Sequence, residues 1–169
     1  PSLKGDHPRL VIPFFDENNK MFAFQGRAFG NEQPKYITIK LNPEKDKIYG
    51  LNRLNRDKPI YVVEGPIDSL FLDNCIAVAG ADFSKLPKEN TTIVFDNERR
   101  NKEILKQIEK TVNEGYKIVL WPDDIKEKDI NDMILAGRTK EEIQTIITNN
   151  TYQGSMAKIR MTTWRKTYA

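Results

Sequence analysis

Cysteine and histidine are almost absent from this sequence, which has only Cys75 and His7 among its 169 residues. One cysteine cannot form a disulfide within the chain, and these two residues cannot complete a Cys/His zinc site. Long apolar runs are also missing, and none approaches the about 20 residues that a membrane-spanning helix needs. With 38% hydrophobic and 30% charged residues, we expect a globular chain without a disulfide, an internal zinc module or a membrane span.

Negative charge is scarce at both ends of the sequence. Residues 1–60 hold 11 Lys and Arg against 7 Asp and Glu, residues 61–150 hold 12 against 17, and residues 151–169 hold 4 against none. An acidic middle between basic ends predicts that the middle binds cations and that the ends bind a polyanion such as nucleic acid. Charge alone leaves open the alternative that these residues form an ordinary solvated surface.

The hydrophobic pattern changes near residue 60. Before it, apolar runs on either side of a turn cluster predict a hairpin over residues 10–29, followed by a short strand at 35–40. After it, apolar segments that predict strands alternate with segments of helical periodicity. The predicted strands cover 60–63, 76–79, 92–95 and 117–121, and the predicted helices cover 66–74, 99–114, 129–136 and 140–148.

Alternating strands and helices of this kind indicate a parallel sheet that is covered on both faces. We therefore predict an α/β fold, in which a parallel sheet flanked by helices is preceded by a small basic β-rich lobe. The predicted domains are the basic lobe at residues 1–58, a metal-binding α/β domain at 59–150 and a basic C-terminal tail at 151–169.

Two interpretations of the tail remain open. Basic and aromatic residues alternate from Lys158 to Ala169, which is typical of contact with single-stranded nucleic acid or a helicase partner. The alternative is a C-terminal helix that is docked by Ile159 and Trp164.

At the other end, the chain begins with Pro1 and not with an initiator Met, so we expect it to be a piece of a longer protein.

Acidic residues follow the predicted strands of the α/β domain. Glu64 comes directly after the first strand and Asp68 four residues later, whereas Asp96 and Glu98 follow the third strand. Because the carboxyl ends of neighbouring parallel strands meet at one edge of a sheet, these side chains are expected to gather there. They repel one another unless a cation neutralises them, and Mg²⁺ or Mn²⁺ suits such oxygen ligands. The alternative is that the acids cap helices and interact with helix dipoles.

Three segments of the sequence resemble the motifs of the Toprim domain, which is shared by primases, topoisomerases and some nucleases. They are Val63–Asp68, Phe95–Glu98 and Lys128–Asp132, and the resemblance covers residues 59–137. The chain departs from the family pattern at Glu98, where a second Asp is usual. The catalytic residues implied by the resemblance are Glu64, Asp68, Asp96 and Glu98, and the implied metal ligands are Glu64, Asp96, Glu98, Asp129 and Asp132.

The upstream segment is similar to the stretch that precedes Toprim in bacterial and tailed-phage primases. Phe24–Arg27 corresponds to a Gly-Gly-Arg element of that family, with Gln25 in place of the first Gly, and Pro34–Tyr36 corresponds to a Pro-Lys-Tyr element. In that family the basic residues of this lobe hold the template and the incoming nucleotide. The resemblance implies this role for Arg27, Lys35 and Tyr36, whereas ordinary surface charge is the alternative.

Together the two resemblances identify the chain as the catalytic core of a DNA primase, of the bacterial or phage type. They imply Mg²⁺- or Mn²⁺-dependent nucleotidyl transfer that builds short RNA primers on single-stranded DNA from ribonucleoside triphosphates. They also imply a replicative helicase partner, a zinc-binding domain outside this chain and a location in the cytoplasm, that of the host if a phage encodes the protein. A Toprim nuclease and a non-catalytic nucleic-acid-binding module remain as alternatives, whereas a type IA topoisomerase needs a larger chain.

Overall fold

Two β-sheets organise the computed structural model, which describes residues 8–80 and 82–165. The first sheet is antiparallel in the order β1-β2-β3, and the second has the order β5-β4-β6-β7-β8. The strands are β1 (Arg9–Phe15), β2 (Met21–Ala28), β3 (Tyr36–Lys40), β4 (Ile60–Val63), β5 (Cys75–Ala77), β6 (Thr91–Ile93), β7 (Lys117–Val119) and β8 (Thr151–Tyr152). The α-helices are α1 (Lys102–Asn113), α2 (Ile130–Leu135), α3 (Lys140–Asn149) and α4 (Gly154–Trp164).

The N-terminal sheet begins with the hairpin that the sequence predicts. In the turn between β1 and β2, the buried Asp16 carboxylate accepts hydrogen bonds of 3.0 Å from the backbone N–H groups of Asn18 and Lys20. Lys45 Nζ lies 2.6 Å from the same carboxylate. The turn is therefore fixed by side-chain to backbone bonds of the kind that favours Asp and Asn in turns.

The second sheet has the predicted parallel core, since β5, β4, β6 and β7 run parallel. Its strands are buried on both faces: Ile60 and Val62 belong to the core under α1 and α4, and Val63 belongs to the core under α2 and α3. Burial on both sides explains why these strands are continuous apolar runs without alternation. The carboxyl ends of β4 and β6 emerge side by side at one edge, between the two helical layers.

Most predicted helices are present, with shifted ends. α1 begins at Lys102 and not at residue 99, because the Asn101 side chain caps it by accepting hydrogen bonds from two N–H groups of the first turn. α3 carries the predicted capping box between Thr139 and Glu142.

The helix predicted at residues 66–74 is wrong. Only a 3₁₀ turn forms there, at Asp68–Phe71. Leu72 is already extended, and Asn74 has a left-handed backbone with φ of 48°, so the chain turns directly into β5. Short polar side chains such as Asn adopt this conformation more readily than most residues do.

Most of the segment predicted as a basic tail forms regular secondary structure. β8 pairs antiparallel with β7, and α4 packs on the sheet through Ala157, Met161 and Trp164. Docking by Trp164 is therefore confirmed, but docking by Ile159 is wrong, since this residue is 63% exposed. The rest of the predicted tail, residues 166–169, lies outside the described residues, as does His7.

A third apolar cluster joins the two sheets. Phe14 of β1 lies edge-on to Tyr49, with 5.4 Å between ring centroids, and Tyr49 exchanges two backbone hydrogen bonds with Ala77 of β5. Ile67 and Ala79 pack against the same cluster. This contact places the N-terminal sheet beside the carboxyl edge of the parallel sheet. The division into three domains stays a prediction.

None of the helices in the described part of the chain is long and apolar enough to cross a membrane.

Candidate functional site

A cleft of about 310 Å³ lies between the N-terminal sheet and the carboxyl edge of the parallel sheet. Four of the predicted acidic residues line it, and two of the predicted basic-lobe residues line it as well. The lining comprises Gln25, Lys35, Tyr36, Glu64, Gly65, Pro66, Asp68, Ala79, Gly80, Asp96, Lys128 and Asp129. The fold therefore brings residues from four separate parts of the sequence to one place.

Asp68 ties the first acidic segment to the third. Its Oδ1 accepts a 2.8 Å hydrogen bond from the backbone N–H of Asn131, at the start of α2. A Cβ atom on Gly65 would lie only 2.5 Å from Asp68 Oδ2, so any side chain there would displace the Asp68 carboxylate. Desolvation raises the pKa of Asp68 to about 6, and the charges of Asp129 and Asp96 act in the same direction, against the Asn131 hydrogen bond.

The Asp96–Glu98 segment is held by the residue between its two acids. The Asn97 side chain donates hydrogen bonds to the backbone oxygens of Ile125 and Glu127, at 3.0 and 3.2 Å. The backbone N–H of Asn97 also donates to the Lys128 carbonyl at 2.7 Å. These three bonds fasten the segment after β6 to the loop after β7. Sequence reasoning missed Asn97, although its place between two acids on an extended segment directs it away from them.

Lys128 lies between the two carboxylates of this segment. Its Nζ is 3.5 Å from Asp96 Oδ2 and 3.6 Å from Glu98 Oε1. Desolvation lowers the pKa of Lys128, but the negative charges of Asp96 and Glu98 outweigh it and raise the pKa overall. Sequence analysis quoted Lys128 within a motif without giving it a role, because an ion pair across 30 residues leaves no local signal.

Negative charge is crowded in the cleft. Desolvation raises the pKa of Glu64, which sits at the exposed rim, and the charges of Asp96 and Glu98 raise it further. Desolvation also raises the pKa of Asp96, where Lys128 opposes the shift and Asp129 and Glu98 add to it. A bound cation would stabilise the ionised form of carboxylates whose ionisation is disfavoured in this way.

The donors fit a hard divalent cation in their chemistry. Among the residues that the structure describes, no three Asp, Glu, His or Cys side chains are grouped so that they could hold a metal ion. Mg²⁺, however, is usually bound through one or two carboxylates together with waters and substrate phosphates. Asp96 and Glu98 form such a pair, since both already contact one cationic group, the Lys128 ammonium.

The other predicted ligands differ in whether they line the cleft. Asp129 lines the cleft and caps α2, where its Oδ1 accepts a 2.8 Å hydrogen bond from the backbone N–H of Asp132. Asp132 itself is exposed in the first turn of α2 and does not line the cleft. Metal ligation by Glu64, Asp96, Glu98, Asp129 and Asp132 stays a prediction.

The opposite wall of the cleft carries cations around an aromatic ring. The Arg27 guanidinium and the Lys35 ammonium lie 5.7 and 5.8 Å from the centre of the Tyr36 ring. Lys35 and Tyr36 line the cleft, whereas Arg27 is connected to it through Tyr36. Gln25 is buried beside them, and its amide nitrogen donates to Thr38 Oγ1 at 3.1 Å.

The chain is similar in sequence to a known DNA primase. No protein-family model matches the chain. The chain is 45% identical over 165 residues to the DNA primase of Enterobacteria phage T4, a match covering 94% of this chain and 48% of the phage protein.

Solved primase structures share the fold at lower identity. The structure of the Aquifex aeolicus primase, comprising zinc-binding and RNA polymerase domains, matches with a TM-score of 0.63 and 23% identity, over 86% of this chain and 41% of that one. A DnaG primase catalytic domain bound to single-stranded DNA matches with a TM-score of 0.63 and 20% identity, over 84% and 51%.

The chain spans about half the length of the phage T4 primase that it matches. The part that matches contains both walls of the cleft, since the match covers 94% of this chain. The chain is therefore similar in sequence to about half of a phage DNA primase, and it shares its fold with solved primase catalytic domains.

Proposed function

We propose that this chain synthesises short RNA primers on single-stranded DNA by templated nucleotidyl transfer from ribonucleoside triphosphates. The observation that carries the proposal is the shared cleft, in which Glu64, Asp68 and Asp96 face Lys35 and Tyr36. A carboxylate wall can hold a divalent cation, and a basic wall can hold phosphates and a base. Transfer of a nucleotidyl group needs both at once, because positioning and charge neutralisation supply most of its rate.

The acidic side chains have distinct roles in this proposal, and Glu98 is the one among them that does not itself line the cleft. Asp96 and Glu98 would hold Mg²⁺ or Mn²⁺, and the cation would supply positive charge against the triphosphate and the leaving pyrophosphate. Glu64 stands at the rim and its pKa is raised, so it is suited to accept a hydrogen bond or a proton from the attacking 3′-hydroxyl. Asp68 fixes the third acidic segment through the Asn131 N–H group.

The basic wall binds the nucleotide and the template. Lys35 supplies a mobile positive charge for phosphate, since its side chain is exposed at the cleft. Tyr36 is 41% exposed and offers a ring on which a base can stack. Arg27, beside that ring, adds charge for the phosphate backbone of the template strand.

Partners of the chain follow from the same proposal. A related catalytic domain has been solved with single-stranded DNA, which supports a single-stranded template here. The Aquifex aeolicus structure carries a zinc-binding domain next to its polymerase domain, and Cys75 and His7 cannot form one here. We therefore place template selection on a separate zinc-binding domain, and we expect a replicative helicase as a partner in the cytoplasm.

A Toprim-type nuclease is the second candidate, because the same carboxylates could direct water in place of a 3′-hydroxyl. The presence of Lys35 and Tyr36 in the cleft favours the primase, since hydrolysis needs no nucleotide-holding wall. A non-catalytic nucleic-acid-binding module is disfavoured by the crowding of carboxylates, which repels a polyanion unless a cation is bound.

The proposal is tested by incubating the chain with Mg²⁺, labelled ribonucleotides and single-stranded templates, with and without a primase zinc-binding domain added in trans. We expect short RNA products whose yield rises with the added domain. Asp96→Asn should lower the yield by roughly 10²-fold or more, whereas Asp73→Asn, an exposed acid outside the cleft, should leave it unchanged. Cleavage of the template without nucleotide incorporation would contradict the primase assignment and support the nuclease.

A further inference from the structure

Lys128 combines a fixed backbone with a movable side chain. Its carbonyl accepts the 2.7 Å hydrogen bond from the N–H of Asn97, so the main chain is fastened to the segment that carries Asp96 and Glu98. Its side chain is nevertheless 53% exposed. The ammonium lies almost equally far from the two carboxylates, at 3.5 and 3.6 Å. It therefore neutralises the same two groups that are best placed to ligate a divalent cation.

We propose that Lys128 competes with the divalent cation for Asp96 and Glu98, so that the cation binds only when the ammonium moves away. This inference rests on the metal site of the proposed function. Asp96 Oδ2 and Glu98 Oε1 are the atoms that face the ammonium. A dication ligated by these oxygens would come close to the ammonium charge, and the two positive charges repel each other. The lysine thus sets the affinity of the site below what its carboxylates alone would give.

The displaced ammonium remains in the cleft. Lys128 lines the same cleft as Lys35 and Tyr36, and four methylene groups let its charge swing while the main chain stays fixed. A triphosphate bound together with the cation brings negative charge to this space. Movement of the ammonium from the carboxylates to the phosphates would couple cation binding to nucleotide binding. The phosphates would draw the ammonium away from the cation, and the cation would displace the ammonium toward the phosphates.

A purely structural role makes the opposite prediction. If Lys128 only tied the loop after β7 to the segment after β6, its removal would disorder both carboxylates and weaken cation binding. The three Asn97 hydrogen bonds already make that connection without the lysine side chain. Competition therefore predicts tighter cation binding after removal of the charge, and a structural tie predicts weaker binding.

The test measures Mn²⁺ binding to the whole chain by electron paramagnetic resonance of free Mn²⁺, without nucleotide or DNA. Lys128→Met should bind Mn²⁺ roughly threefold to tenfold more tightly than the wild type, which is the range expected for losing two exposed ion pairs. Lys128→Arg should stay near the wild type because it keeps the charge. Lys106→Met removes the same charge from the exposed face of α1 and should change nothing.

Thermal unfolding gives a second readout. Without a cation, Lys128→Met should melt below the wild type because two carboxylates lose their partner. Saturating Mn²⁺ should then raise its melting temperature by more than it raises that of the wild type. A third readout uses the unmodified protein: during Mg²⁺ titration, the ¹³Cε resonance of Lys128 should shift and that of Lys106 should not.

The outcomes separate the inference from the proposed function. Failure of the wild type to bind Mn²⁺ would overturn the metal site itself. Wild-type binding with equal or weaker binding by Lys128→Met would overturn the competition alone. If that variant fails to fold, a Lys128 resonance that stays unchanged up to saturation with Mg²⁺ would overturn the competition in the wild type.

Discussion

The two walls of the cleft are built in different ways. The carboxylate wall stands at the ends of β4 and β6, on strands buried on both faces, and backbone hydrogen bonds from Asn97 and Asn131 fix its loops. The basic wall belongs to β2 and β3, and β3 is an edge strand whose residues are mostly exposed. We therefore describe the first wall as rigid and the second as adaptable. In the proposed function the rigid wall places charges accurately, and the adaptable wall holds a template strand of varying sequence.

The largest loss of activity among these predictions should come from removing the side-chain hydrogen bonds that fix the carboxylate wall. Asn97→Ala removes the side-chain bonds to the Ile125 and Glu127 carbonyls and leaves both acids in place. We expect primer synthesis to fall roughly 10- to 100-fold, as for residues that orient metal ligands. We also expect the free energy of unfolding to fall by about 1–3 kcal/mol, because two partly buried carbonyls lose their donors.

Steady-state incorporation of labelled ribonucleotides and urea unfolding would measure these two changes. Asn149→Ala, at the exposed end of α3, is the matched control and should affect neither. Full activity of Asn97→Ala would mean that the position of Asp96 and Glu98 does not depend on this tether.

Desolvation and charge crowding in the rigid wall should appear as a pH effect on stability. The pKa of Asp68 is raised to about 6 from the ordinary 3.8, so between about pH 4 and pH 6 the unfolded carboxyl is ionised while the folded one keeps its proton. Raising the pH through this window therefore lowers stability in the wild type, and the loss is complete above pH 6. Asp68→Asn keeps the oxygen that Asn131 needs and lacks this loss.

Urea unfolding of both proteins from pH 3.5 to pH 7.5 would isolate the contribution of Asp68. The stability of Asp68→Asn relative to the wild type should rise by about 1–2 kcal/mol across the window, allowing for partial solvent exposure. A difference that does not vary with pH would show that Asp68 ionises normally.

The adaptable wall should respond in binding with little change in stability. Lys35→Ala and Arg27→Ala should each weaken single-stranded DNA or nucleotide binding by roughly threefold to tenfold and shallow its salt dependence, because fewer counterions are released. Unfolding free energies should stay within about 0.5 kcal/mol of the wild type, as is usual for surface substitutions. Lys20→Ala, an exposed lysine in the hairpin turn of the same lobe, is the control for fluorescence-anisotropy titrations. Equal losses of binding in Lys20→Ala and Lys35→Ala would show that the basic wall contributes only general surface charge and no specific binding site.

Sequence patterns located the rigid wall well because its strands are continuous apolar runs that stop at acids. The strand at Ile60–Val63 and the acidic edge after it are visible from local sequence alone. The contacts of Lys128 and of Arg99, a structural residue outside the cleft, could not be predicted because they join segments that are distant in the sequence. Arg99 donates to the Trp121 and Pro122 carbonyls and lies over the ring of Trp164, contacts that depend on how β7 and α4 meet in space.

The predicted helix at 66–74 failed for a local reason. Pro66 is acceptable at a helix start, but the chain has only a few residues in which to reverse direction and enter β5. The left-handed Asn74, whose side chain donates hydrogen bonds to the Asn55 and Pro59 carbonyls, completes that reversal. The contacts of Asn74 with a distant segment therefore outweigh the local sequence pattern that favours a helix.

The most direct test of the central claim, that both walls serve one ligand, is a double-mutant cycle on binding of a ribonucleoside triphosphate with Mn²⁺. Calorimetry would compare the wild type, Asp96→Asn, Lys35→Ala and the double variant. We predict that the double variant binds little worse than Asp96→Asn, a coupling of about 1 kcal/mol or more between walls that hold the same triphosphate. Strictly additive losses would contradict the claim, since they would mean that cation and nucleotide bind at independent places.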